Sequence, residues 1–272
     1  MTKNLDNEGL RSIADNYQLF YIDLWGVVHN GINLHDKAIF TLKEITKKNK
    51  EYVLLTNAPR PNSAVKVFLE KMGMEKEIID HVFTSGEAAL SYLNKNHLND
   101  SFFHIGPPRD FDLFQDFKKN KSEEIKESKY ILCTGLFDNH DEELNYYKDL
   151  LEKHLNKKMI CTNPDLIVHR GKKEEYCAGK IAEVFESSGG KVIYFGKPHE
   201  EVYKMCFDKK EKVLAIGDNL RTDIKGANNL GIDSLFIYHG VHRDEIKNEN
   251  DILKVIRNYD VLINYFQFEL NW

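Results

Sequence analysis

No apolar stretch in this 272-residue chain approaches the ~18 uninterrupted residues of a bilayer-spanning helix, so a membrane role is not expected. The opening segment, MTKNLDNEGLRSIADNYQ, lacks the apolar centre of a secretory signal. Cysteine is scarce. The four residues Cys133, Cys161, Cys177 and Cys206 form no CxxC pair, and reduced, buried thiols are expected. A strong charge excess is also missing: the formal net charge is -5, with both signs mixed along the chain. Lysines such as Lys47, Lys48 and Lys50 fall on a helix-like face, and no nucleic-acid partner is expected. There is no Pro/Gly-rich linker and no internal repeat. These absences together predict a cytoplasmic globular protein.

What is present is a regular alternation. Apolar residues make up 42% of the chain, enough for a sizeable core. Short β-rich runs start at Leu19, Tyr52, Phe102, Tyr130, Met159, Val192, Val213 and Ser234. Helix-length amphipathic runs lie between most of them, as in HDKAIFTLKEITKKN, where Ala38, Leu42 and Ile45 share a face. Strands apolar on both faces that alternate with helices predict an α/β fold with a doubly wound parallel sheet. From about 85 to 190 the strands are more widely spaced and KKNKSEEIKES is rich in charge. The expected organisation is a core formed by 1–84 and 191–272, with an inserted α/β domain at 85–190.

In an open α/β sheet, ligands bind beyond the carboxyl ends of the strands. The residues that follow the strands are therefore the ones to inspect. They are Asp23 with Trp25-Gly26, then Thr56-Asn57, then Gly196-Lys197-Pro198, and finally Gly217-Asp218-Asn219 with Asp223. A carboxylate can attack phosphorus and split one hard displacement into two easier ones. Mg²⁺ takes oxygen ligands, and a lysine and a metal offset repulsion among clustered acids. A threonine hydroxyl, a lysine and backbone N–H groups can hold the equatorial oxygens of a phosphoryl group. Each residue alone also has a structural explanation as a helix cap or turn. The combination, in this order, is the inventory for phosphoryl chemistry with a divalent metal.

These segments resemble the haloacid dehalogenase superfamily. YIDLWGV is similar to its nucleophile motif, LLTNA to its second, GKP to its third and GDNLRTDI to its fourth. VFTSGEAAL, CTNPD and YCAGKIAEVFE resemble the subfamily of NagD-type phosphatases, which has a Rossmann-like core and an inserted α/β cap. The resemblance implies a Mg²⁺-dependent hydrolase of a small phosphorylated metabolite, such as a sugar phosphate or nucleotide. It implies Asp23 as nucleophile, with Thr56 and Lys197 as its catalytic partners. Metal ligation would fall to Asp23, the carbonyl of Trp25, Asp218 and Asp223, the last in or near a supporting position. Substrate contacts would come from Asn57, Asn163, Pro164 and Asp165, with His169 and Arg170 as further cap contacts. A homodimer is a further expectation by analogy.

The sequence departs from that pattern at Trp25, where the usual phosphatases carry an acid that protonates the leaving group. An indole cannot do this. Three explanations stand at this stage: a leaving group needing little protonation, a substitute such as His29, or a phosphate-ligand-binding protein with weak or no turnover.

Overall fold

The computed structural model describes residues 2–206 and 212–272. The chain forms β1 (Lys3–Asn4), β2 (Leu19–Ile22), β3 (Glu51–Thr56) and β4 (Val82–Thr84). It then crosses to β5 (Phe102–Ile105), β6 (Tyr130–Cys133) and β7 (Lys158–Cys161). A hairpin of β8 (Ile167–Arg170) and β9 (Lys173–Tyr176) follows, then β10 (Lys191–Tyr194). The last strands are β11 (Val213–Gly217), β12 (Asp233–Ile237) and β13 (Tyr265–Gln267).

Seven strands make one sheet, in the order β1-β13-β12-β11-β2-β3-β4, and every pairing in it is parallel. A second, four-stranded sheet in the order β10-β7-β6-β5 is also all parallel. All eight strands expected from the sequence are present. One changes sheet: β10 was expected to reopen the core at 191, yet it pairs with β7. The return to the first sheet therefore falls after Tyr194.

Side-chain alternation explains how the large sheet is covered on both faces. Phe20, Ile22, Leu54, Leu214 and Ile216 point to one cluster, which the helix Asp36–Lys47 covers with Ala38, Leu42 and Ile45. Leu19, Tyr21, Val53, Leu55 and Ala215 point to the other. That second cluster continues through Phe102, Tyr130, Leu132 and Ile160, so the two sheets share a hydrophobic core. Alternate residues Ile131, Cys133, Met159 and Cys161 face away and bury Tyr147, Ile181 and Phe185 of the helices Leu144–Leu151 and Ala178–Ser187. Fully burying each of these large apolar side chains contributes about 1.5–3 kcal/mol. The four cysteines are free, and three are buried. Among the described residues no helix is long and apolar enough to cross a membrane.

Candidate active site

β11, β2 and β3 lie side by side, so the residues that follow them meet at one sheet edge. The chain winds outward from β2 to β3 and β4, then returns through β11 to β12 and β13. The strand order thus reverses between β2 and β11, where ligand crevices open in this class of sheet. Asp23 N–H donates to the carbonyl of Ile216, extending the β2–β11 ladder by one residue and seating Asp23 beside Asp218. Gly26 has φ 87°, and a Cβ there would lie 2.0 Å from Asp218 Oδ2. Only glycine permits both that conformation and that approach. Gly26→Ala should therefore displace Asp218 and lower kcat by about tenfold or more, through strain at the cavity floor. Steady-state kinetics of wild type and variant check this.

Lys197 arrives from the other sheet, just beyond β10. Its buried Nζ lies 2.5 Å from Asp23 Oδ1, 2.7 Å from Asp223 Oδ1 and 2.7 Å from the carbonyl of Leu55. Burial alone would lower its pKa, but Asp223, Asp23 and Asp165 outweigh this and push it up, so it stays charged. Asn57 locks the lysine backbone: its Oδ1 accepts from Lys197 N–H at 2.7 Å and its Nδ2 donates to Lys197 O at 3.0 Å. Nδ2 also reaches Asp165 Oδ1 at 3.2 Å. Asn57, expected to touch substrate, lines the cavity described below, and its amide also positions Lys197 and Asp165. Thr56 Oγ1 accepts from Ala58 N–H at 3.2 Å, which leaves its hydroxyl proton free to donate.

Carboxylate oxygens of Asp23, Asp218 and Asp223 can all lie within 4.8 Å of one another, and all three residues are buried. Burial raises the pKa of Asp23 and of Asp218, and in each a neighbouring acid adds to the rise. With Asp165, also raised by burial, four acids surround one ammonium. That excess of buried negative charge calls for a cation. The donors on offer are all oxygen, the set a hard divalent ion prefers. Asp218 is partly engaged, its Oδ2 accepting from Val241 N–H at 2.7 Å. Asp223 uses both oxygens, Oδ1 on Lys197 and Oδ2 on Asn219 N–H at 3.1 Å. It thus holds the lysine and the loop while its carboxylate stays within reach of Asp23 and Asp218.

A cavity of about 310 Å³ opens above these groups. Its wall includes Asp23, Trp25, Thr56, Asn57, Asp165, Lys197, Asp218 and Asp223. Asn163 and Pro164, expected as substrate contacts, do not line it. Asn163 is buried and its Oδ1 accepts from Asp165 N–H at 3.0 Å, while Pro164 packs against Gly179 and Gly196. They form the turn that presents Asp165. Arg170 also lies off the wall; it stacks over the Trp25 ring at 5.1 Å and pairs with Glu175. Asn219, one of the strand-end residues, is on the wall; wall residues the sequence reading passed over include His35 and His239, together with Lys172 and Arg243. The segment after β12, YHGVHR, offered a signal for the last of these: it too follows a strand of the large sheet.

Trp25 and His29 answer part of the puzzle at the missing acid. The Trp25 indole N–H donates to the carbonyl of His169 at 2.8 Å, and Gly171 N–H donates to Asn30 O at 3.2 Å. The β8–β9 hairpin is thereby fastened over the cavity, with the indole as one fastening. His29 lies behind Trp25, between it and Phe68, with ring centroids 5.0 and 5.9 Å away. Its Nδ1 accepts from Gly31 N–H, and burial pushes its pKa down to about 3. It is neutral and off the cavity wall, so it does not replace the missing acid.

Comparison with known proteins agrees with this layout. Residues 20–118 match the model described as haloacid dehalogenase-like hydrolase, and 194–260 match a second HAD-hydrolase-like model. A crystal structure of a haloacid dehalogenase-like hydrolase from Brucella suis superposes with TM-score 0.82 at 30% identity, covering 97% of this chain and 99% of that one. Phosphoglycolate phosphatase 2 of Arabidopsis thaliana is 25% identical over 87% of this chain and 88% of its own length. Ribonucleotide monophosphatase NagD of Escherichia coli is 32% identical over 88 residues, 31% of this chain and 34% of its own. The chain belongs to the haloacid dehalogenase superfamily of hydrolases and is of the NagD type.

Proposed function

We propose that the protein is a Mg²⁺-dependent phosphatase of a small phosphorylated metabolite, working through a phosphoryl-enzyme on Asp23. The observation that carries this reading is the buried Asp23–Lys197–Asp223 chain, at 2.5 and 2.7 Å, on the floor of a small cavity. The relatives named phosphatases support it. Asp23 and Asp218 with the carbonyl of Trp25 would hold the ion, which would draw charge from the phosphoryl oxygens when bound.

An oxygen of Asp23 attacks phosphorus, and the bond to the leaving oxygen breaks. Lys197 offsets the charge on Asp23 and, with the Thr56 hydroxyl, steadies the equatorial oxygens. Water then attacks the same phosphorus, releasing inorganic phosphate and restoring the Asp23 carboxylate. With Trp25 in the acid's position, the leaving oxygen departs without a protein proton donor at that site. Turnover should therefore fall steeply from acyl and aryl phosphates to alkyl phosphates. Trp25→Asp should raise alkyl relative to aryl turnover by about tenfold or more, part of the ~10²–10⁴ typical of general acids. Its KM should also rise, since the tie to His169 is lost. An unchanged alkyl-to-aryl ratio across a phosphate-release panel would contradict the assignment.

The raised acids fix the sign of the metal's effect on stability. Without metal, the stability contributed by Asp23 and Asp218 is present at low pH and lost as pH rises through their elevated pKa values. Added Mg²⁺ should therefore raise Tm more at about pH 8 than at about pH 5.5. Scanning calorimetry at both values checks it; a pH-independent or absent shift would place the metal elsewhere.

A further inference from the structure

Two cations on the cavity wall have no part in the phosphoryl chemistry above. Lys172 sits in the β8–β9 turn, and Arg243 follows β12. The two meet at Gly171, whose carbonyl accepts from Arg243 Nη2 at 2.9 Å and whose chain neighbour is Lys172. One bond to a neutral carbonyl fixes the guanidinium and leaves most of its five N–H donors for a ligand.

Neither cation is neutralised. Among the described residues no carboxylate lies within ion-pair distance of Lys172 or Arg243. Cations close by in sequence but off the wall are paired: Arg170 with Glu175 at 3.4 Å, Lys173 with Asp141 at 3.6 Å and Lys247 with Asp244 at 3.3 Å. What sets Lys172 and Arg243 apart is that both line one cavity with no described carboxylate beside them, which makes that wall positive. His169 and His239 line the same wall, and burial, then Arg243, disfavours the charged form of each. The nearby acids Glu174 and Asp244 lie toward His169, at 3.8 and 4.0 Å, and not against the two cations.

The transferred phosphoryl already has Lys197, Thr56 and a metal. The cavity, about 310 Å³, holds only a small molecule. We propose that Lys172 and Arg243 form a second anion site, so that the preferred substrate is a small phosphate ester or anhydride bearing a second anionic group, carboxylate or phosphoryl. This deepens the phosphatase reading and rests on it. One cation comes from the hairpin and one from the large-sheet loop, so the second anion also ties the two together.

Matched pairs test the idea: phenyl phosphate against 4-carboxyphenyl phosphate, and fructose 6-phosphate against fructose 1,6-bisphosphate. Wild type with Mg²⁺ should favour at least one charged member in kcat/KM by about tenfold or more. Lys172→Gln and Arg243→Gln should erase most of that preference through KM, lowering the charged member far more than its partner. Arg243→Lys should keep part of it. A preference confined to one pair identifies the group as carboxylate or phosphoryl. No preference in wild type, or equal losses on both members of each pair, would overturn the second site. Absence of any phenyl phosphate turnover would instead strike the phosphatase reading. Calorimetric Kd values for the same pairs would then judge the second site alone, with equal Kd values within each pair overturning it.

Discussion

Asp23→Asn is expected to lower phosphate release by on the order of 10⁴-fold or more, as loss of a covalent nucleophile does elsewhere. Folding should survive the change. Four carboxyl groups face one ammonium in the metal-free site, and the variant removes one negative charge from that excess while Asp223 still holds Lys197 at 2.7 Å. Its Tm without metal should equal or exceed that of wild type, and the gain in Tm on adding Mg²⁺ should shrink, because a ligand oxygen is lost. Inactivity combined with retained stability is the informative pattern. Retained turnover would remove Asp23 from the reaction.

Lys197→Met has the opposite stability signature. It leaves Asp23, Asp223 and Asp165 without their shared ammonium, and removing one partner of a buried pair typically costs about 3–5 kcal/mol. The loss should be greatest at alkaline pH and partly recovered on acidification, since protonating the stranded acids removes their repulsion. Turnover should fall by about 10²-fold or more, the usual effect of deleting one charge-stabilising donor. Chemical denaturation at two pH values, with kinetics under the same conditions, separates this outcome from simple packing damage, which would show no pH trend. Methionine keeps most of the side-chain length, so the comparison isolates the charge.

The elements nearest the chemistry were legible because two signals coincided there. β2, β3 and β11 are apolar on both faces, and each run gives way to a polar residue, Asp23, Thr56 or Asp218. Sheet membership was not legible for β10. KVIY reads the same in either parallel sheet, and only its pairing with β7, Val192 opposite Met159, decides where it belongs. The β8–β9 hairpin escaped notice because IVHRGKKEEY is mostly polar and lies on the surface. Yet that hairpin supplies Lys172 and the carbonyl that Trp25 holds.

The CTNPD segment was legible as a motif but misleading as a set of contacts. Asn163 and Pro164 shape the turn, and Asp165 alone of the three reaches the cavity. His29 shows the same limit at shorter range. It follows Asp23 by six positions, yet the turn through Val27 and Val28 carries its ring behind Trp25 and into apolar packing. Distance along the chain could not distinguish a proton donor from a buried neutral ring; the direction of the backbone did.

The central claim is that phosphate passes through Asp23. Acid-quenching the Mg²⁺-loaded protein within one turnover of an aryl phosphate, then mapping peptides by mass spectrometry, tests it most directly. A phosphoryl group carried on the peptide containing Asp23, absent from Asp23→Asn, is the predicted result. Full turnover with no phosphoryl group on that peptide at any quench time, or with the group on another residue, would contradict it.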